Sequence, residues 1–162
     1  MYRVNFFLLI LIFFGIFYSN VYSFDVDGFK NGMSQKELRE NLNDWKFDKI
    51  EERDNFIRAW DIPDSGAKRW YVFTFCNTKL NSVQKDIKPS MKNFILLFQK
   101  LTSIHGKPID SHVEMSIDSI GETNSISFHW ANGKDLITLS YHVFPNNDQL
   151  AVRYENDSKC SK

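Results

Sequence analysis

Residues 90–108, SMKNFILLFQKLTSIHGKP, decide the fold. Apolar side chains recur at Met91, Phe94, Ile95, Phe98, Leu101 and Ile104, the three-and-four spacing of a helix that buries one face. Ser90 is placed to cap its start, Gly106 stands where the chain must leave the helix, and Pro108 forbids continuation. The segments on either side read as strands, which makes this helix the object they pack against.

Downstream, residues 112–117 alternate, with Val113, Met115 and Ile117 set against His112, Glu114 and Ser116. Residues 124–131 and 134–143 flank Asn132-Gly133, a strong hairpin signal, and a type I′ turn there pairs Ala131 with Lys134. One face of that hairpin is Ile126, Phe128, Trp130, Ile137, Leu139 and Tyr141; the other is Ser125, Ser127, His129, Thr138, Ser140 and His142. Residues 149–155 end the pattern with Leu150, Val152 and Tyr154 inward. Polar-out, apolar-in alternation is what a sheet with one covered and one open face requires.

Upstream, Ser34 and Glu37 form a capping box, Met33 and Leu38 a hydrophobic staple, and Leu38, Leu42 and Trp45 the buried stripe of a first helix. Residues 55–62 place Phe56, Trp60 and Ile62 on one side, interrupted by Arg58; residues 69–75 set Tyr71, Phe73 and Phe75 against Trp70, Val72 and Thr74; residues 80–87 return as a hairpin partner. Glu51, Glu52 and Asp54, with Lys49 and Arg53, read as a solvated link. Residues 25–32 read as a loop or short edge strand. Asp25 and Asp27 before Gly28 resemble half a calcium loop, but Phe29 and Lys30 follow where an oxygen ligand and a glycine are needed, so no metal is expected. The reading is an α+β domain, an antiparallel sheet with two helices packed on one face. Its order of elements suggests two α-β-β-β-β units in tandem, 34–87 and 90–155.

The first 23 residues carry the marks of an export signal: Arg3, an apolar run over 4–18, and Val21 and Ser23 at the −3 and −1 positions of a cleavage site. The run is short of the roughly 20 residues a spanning helix needs. The expectation is a signal peptide at 1–23, a single domain at 24–162, a periplasmic or secreted address, and no stable membrane anchor after cleavage. Arg3 is the only charged residue removed, leaving 19 basic and 20 acidic side chains. That balance argues against a nucleic-acid partner, which would call for a basic excess. Cys76 and Cys160, the chain's two cysteines, are expected to form a disulfide enclosing 83 residues.

Motifs that carry chemistry are missing. There is no G-x-S-x-G elbow and no phosphate-cradling glycine loop, and the four histidines show no ligand spacing. The type I′ register separates His129 from His142 by about six rungs, roughly 20 Å. His105 precedes Gly106 at a helix end, where a cation favours the dipole. No enzyme activity and no cofactor are expected. What remains is the open sheet face, with His129, Thr138 and His142 and, if its strand lies alongside, Trp70; these four are the candidate binding residues for a protein partner. A small secreted enzyme with an unrecognised site, or a structural envelope component, are the alternatives. The sequence indicates where the protein goes and how it is built more clearly than what it does.

The opening FDVDGFKNGMSQKELRENL, with Gly32-Met33-Ser34 followed by Glu37-Leu38, resembles the glycine-Met-Ser/Thr-x-x-Glu-Leu/Val entry of small secreted bacterial domains. These include the small lipoprotein of the outer-membrane-protein assembly machine and the β-lactamase-inhibitor protein. The doubled helix-plus-strands order is similar to the inhibitor in particular. The resemblance implies a non-enzymatic domain that binds another protein through an exposed sheet face or loops. The lipoprotein's attachment cysteine has no counterpart after the apolar run.

Overall fold

Serine caps set both helix starts in the computed structural model, which describes residues 24–61, 69–118 and 121–156. In α1 (Gln35–Trp45), Ser34 Oγ accepts from the Glu37 N–H at 3.3 Å, and the Glu37 carboxylate accepts from the Ser34 N–H at 2.7 Å, which completes the capping box. In α2 (Met91–His105), Ser90 Oγ accepts from the Asn93 N–H at 3.1 Å, and Gly106 ends the helix at φ 81°, where a side chain would be strained. The buried stripe of α2 is narrower than the sequence suggests. Phe94 and Leu101 are buried and Leu97 and Phe98 half-buried, but Met91, Ile95 and Ile104 are exposed. Both stripes satisfy helical spacing, and the sheet beneath chooses between them.

The hairpin β1 (Asp25–Val26) and β2 (Phe29–Lys30) forms its own two-stranded ladder, turning at Asp27-Gly28. It drives Phe29 into the interior, 4.7 Å from the ring of Phe73 and 5.4 Å from that of Trp45. The main sheet has eight antiparallel strands: β3 (Lys49–Arg53), β4 (Phe56–Asp61), β5 (Arg69–Cys76), β6 (Lys79–Ile87), β7 (Asp110–Asp118), β8 (Gly121–Asn132), β9 (Asp135–Val143) and β10 (Asp148–Asn156). Their spatial order is β3-β4-β5-β6-β10-β9-β8-β7. The chain thus lays down one meander, passes through α2, and lays down a second. The last strand of each meets the other at the centre, with Ile87 opposite Leu150 and Ser82 opposite Glu155.

Register places Trp130, Ile137, Tyr154, Val83, Phe73 and Ile57 in one row on one face. Two core clusters form on these residues. Leu38 and Leu42 of α1 pack with Phe29, Ile57, Tyr71 and Phe73, and Phe94 and Leu101 of α2 pack with Trp130, Ile137, Leu139 and Leu150. Tyr154 packs against both. Trp130 Nε1 donates to the Gly106 carbonyl at 3.0 Å, which ties the end of α2 to the sheet and satisfies the indole buried with it.

The structure refines one sequence reading and corrects two. The side of β4 that carries Phe56, Arg58 and Trp60 faces away from the core, in which Ile57 and Ala59 are buried; Ile62 is outside the described residues. The charge-rich link is strand β3, tied to α1 by Arg39 Nη2 on Glu52 Oε2 at 2.6 Å. The β8–β9 hairpin pairs Asn132 with Asp135, so its two-residue loop is Gly133-Lys134. Gly133 sits at φ 63° and Lys134 is not among the positive-φ residues, the glycine-first pattern of a type II′ turn. The shift keeps every side chain on its expected face, so hydrophobic alternation could not detect it.

Candidate functional site

The face of the sheet turned away from the two core clusters carries two adjoining rows. One runs through His129, Thr138, Arg153, Gln84, Val72 and Arg58; the other through Ser127, Ser140, Ala151, Asp86, Trp70 and Trp60. All four residues singled out from the sequence, Trp70, His129, Thr138 and His142, therefore share this face. They do not form one cluster. His129 and Thr138 are direct cross-strand neighbours, with Nδ1 3.1 Å from Oγ1, and His129 Nε2 lies 3.3 Å from Ser127 Oγ. The imidazole is thus held by two hydroxyls of its own sheet. His142 pairs with Ser125, four residues along β8 from His129, which separates the two histidines by about 13 Å at the usual strand rise. Its ring lies nearly parallel to that of Phe144, with centroids 5.9 Å apart. Trp70 is on β5, three strands from His142, or roughly 14 Å across the sheet.

The aromatic end of the face is richer than alternation alone indicated. Trp70 meets Trp60 edge-to-face at 4.8 Å, and Lys49 Nζ stands 5.2 Å from the Trp60 ring. Arg58 and Arg53 lie 4.8 and 5.4 Å from the ring of Phe56. Cations over aromatic faces are attracted by the ring quadrupole, so these side chains hold one another in place. The sequence reading left Trp60, Phe56, Arg58 and Lys49 out of the candidate site because it did not decide which side of β4 faces the core. The signal that could have corrected it was Ile57 and Ala59, which interleave with Arg58 on the opposite parity.

Beside Trp70, at one end of the central strands, lies a cleft of about 420 Å³ lined by Trp70, Asp86, Ile87, Pro89, Asp148 and Gln149 among others. Its two carboxylates are oriented by neighbours. Asp86 accepts from Gln84 Nε2 at 2.8 Å and from Gln149 Nε2 at 2.9 Å. Asp148 accepts from the Tyr141 hydroxyl at 2.8 Å, and that hydrogen bond pushes the Tyr141 phenol above its ordinary pKa. An indole wall with fixed carboxylates suits a basic or amide side chain. Among the described residues of this lining there is no nucleophile with an adjacent base.

Among the described residues, no three His, Cys, Asp or Glu side chains converge to hold a metal ion, and no helix is long and apolar enough to cross a membrane. Cys76 ends β5, while Cys160, the other half of the expected disulfide, lies outside the described residues, as does the expected signal at 1–23. No family model, curated protein or solved structure matches the chain.

Proposed function

We propose that the chain is exported, is cut after Ser23, and acts as a single non-catalytic domain, residues 24–162, that binds another envelope or extracellular protein without a cofactor. In this reading both helices cover the same face of the sheet and the opposite face is the docking surface. The two meanders, each preceded by a helix, act as tandem α-β-β-β-β units, in keeping with the resemblance to the small secreted bacterial domains named above. The observation that carries the reading is the Trp60–Trp70 pair, at 4.8 Å, beside a cleft with two oriented carboxylates. Tryptophan and arginine anchors in partly desolvated clefts dominate protein–protein binding energy. The partner is expected to present a basic side chain to Asp86 and Asp148, with its aliphatic stem on Trp70. His129, Thr138 and His142 form the rim.

Affinity capture from the native envelope tests this, using wild type and Trp70→Ala matched by circular dichroism. Loss of about 2 kcal/mol or more of binding on truncation, the hot-spot range, supports the anchor. A partner captured equally by both forms removes the cleft from the reading, and consumption of a small molecule by the purified domain overturns the class.

A further inference from the structure

The two edges of the sheet are built differently. β3 is five residues long, carries Lys49, Glu51, Glu52 and Arg53, and points Glu52 back to Arg39 of α1. Short, charged edges of this kind resist further pairing. β7 is nine residues long and pairs with β8 on one side, and among the described residues no strand pairs with its other side. Val113, which pairs with Ile126, shares the helix-bearing face with Met115 and Ile117. These three are 73, 65 and 75 % exposed, because α2 rests on β8 and β9 and does not extend over β7. A long strand with an open backbone edge and an uncovered apolar face is a template for another strand.

We propose that β7 pairs antiparallel with β7 of a second copy of this chain, about a two-fold axis at Val113, so that one sheet runs through both copies. The strand's own polar side chains favour this partner and register. With Val113 facing its counterpart, His112 of each copy lies opposite Glu114 of the other, and Ser111 lies opposite Met115. Within one strand His112 Nε2 already lies 3.8 Å from Glu114 Oε2. Centring the axis on Glu114 opposes Glu114 to itself, and like charges directly opposite destabilise a strand pair. Centring it on Met115 turns Glu114 toward Ser116 and moves His112 away from Glu114, to face position 118 at the very end of the strand. The pairing also brings together the Val113 and Met115 side chains of both copies on the helix-bearing face. Same-surface contacts about a two-fold axis are the commonest way soluble chains assemble. The docking face lies on the other side of the sheet, so both contacts can be made at once.

Sedimentation velocity of the 24–162 chain over a dilution series tests the proposal. Wild type is expected to dimerise reversibly. Val113→Lys, at a position already exposed, is expected to raise the dissociation constant at least about tenfold. Ile50→Lys on the opposite edge is expected to leave it unchanged. Under mild oxidation Val113→Cys is expected to give a covalently linked dimer and Met115→Cys to give far less. A wild type that stays monomeric at its highest soluble concentration overturns the proposal. So does an association that Val113→Lys leaves intact, and so does preferential linking through Met115→Cys.

Discussion

Lys85 holds Asp27 from the middle of the sheet: its ammonium lies 2.7 Å from Asp27 Oδ2, and the Tyr71 hydroxyl donates to the same oxygen at 2.9 Å. This anchors the turn of the N-terminal hairpin to the central strands. Burial opposes ionisation of Asp27, but the hydrogen bonds from Lys85 and Tyr71 outweigh it and hold the carboxyl below its ordinary value. The same negative charge, after burial, pushes the Tyr154 phenol upward.

A carboxyl with a lowered pKa in the folded state stabilises the fold fully above its unfolded value, near 3.9, and loses that contribution as pH falls through the folded value. Urea titrations across the acid range are therefore expected to show Asp27→Asn less stable than wild type by about 1 kcal/mol at neutral pH, in the range for a partly exposed ion pair with a charged hydrogen bond. The difference should shrink toward zero at the acid end. A gap that stays constant with pH would mean the Asp27 charge is not what anchors the hairpin.

The face of α2 that meets the sheet can be read by substitution. Leu101 is 3 % exposed and Ile104 61 %. Leu101→Ala is expected to cost about 2–5 kcal/mol and Ile104→Ala to stay within about half a kilocalorie, although both belong to the same apolar pattern. Phe98→Ala is expected to fall below the full cost of about 3–5 kcal/mol for a core phenylalanine, because its ring is only half-buried against Phe128 and Trp130. Equal losses for Leu101→Ala and Ile104→Ala would show the helix rotated.

Ser34→Ala removes the acceptor for the Glu37 N–H and half of the capping box. The expected loss is about 1 kcal/mol, with Ser34→Asp retaining most of the stability. Thermal unfolding of the three forms reads this directly.

Non-reducing peptide mapping is expected to find Cys76 joined to Cys160. Reduction should lower stability by roughly 4–5 kcal/mol in the chain-entropy model for a loop of this length, or less if the bridge is strained. Recovery of both cysteines as free thiols from exported protein would refute the bridge.

Much of this architecture is legible in the chain because several local signals agree. Ser34 with Glu37, Ser90 with Gly106, and the alternation of Tyr71, Phe73 and Phe75 each specify one conformation. Three features escaped for definite reasons. β4 carries apolar residues on both parities, and the larger ones, Phe56 and Trp60, turn outward to meet Trp70 and the cations; the smaller Ile57 and Ala59 fit under α1's cluster. β3 is an edge strand whose residues are charged because it is an edge, so it reads as a link. The β8–β9 turn slides by a step that preserves facing, and what separates the two registers is Asn132, which pairs with Asp135 and lacks the positive φ a type I′ turn would impose on it. The shared face of Trp70, His129, Thr138 and His142 was legible from alternation. The cleft at Trp70 was not, because it joins residues from both halves of the chain.

The central seam has a consequence for how the molecule is made. β6 and β10 are each the last strand of their meander, and among the described residues the one main-sheet ladder between the two halves joins them. Each meander assembles from hairpins between sequence neighbours, whereas the seam requires residues far apart in the chain to find each other, the slow kind of contact in folding. A chain emerging from its N-terminus can complete the first four-stranded half early, but β6 must wait with a bare flank until β10 arrives. Truncation anywhere before Leu150 leaves that flank permanently open, and such fragments are expected to aggregate rather than persist as half-sized folded units.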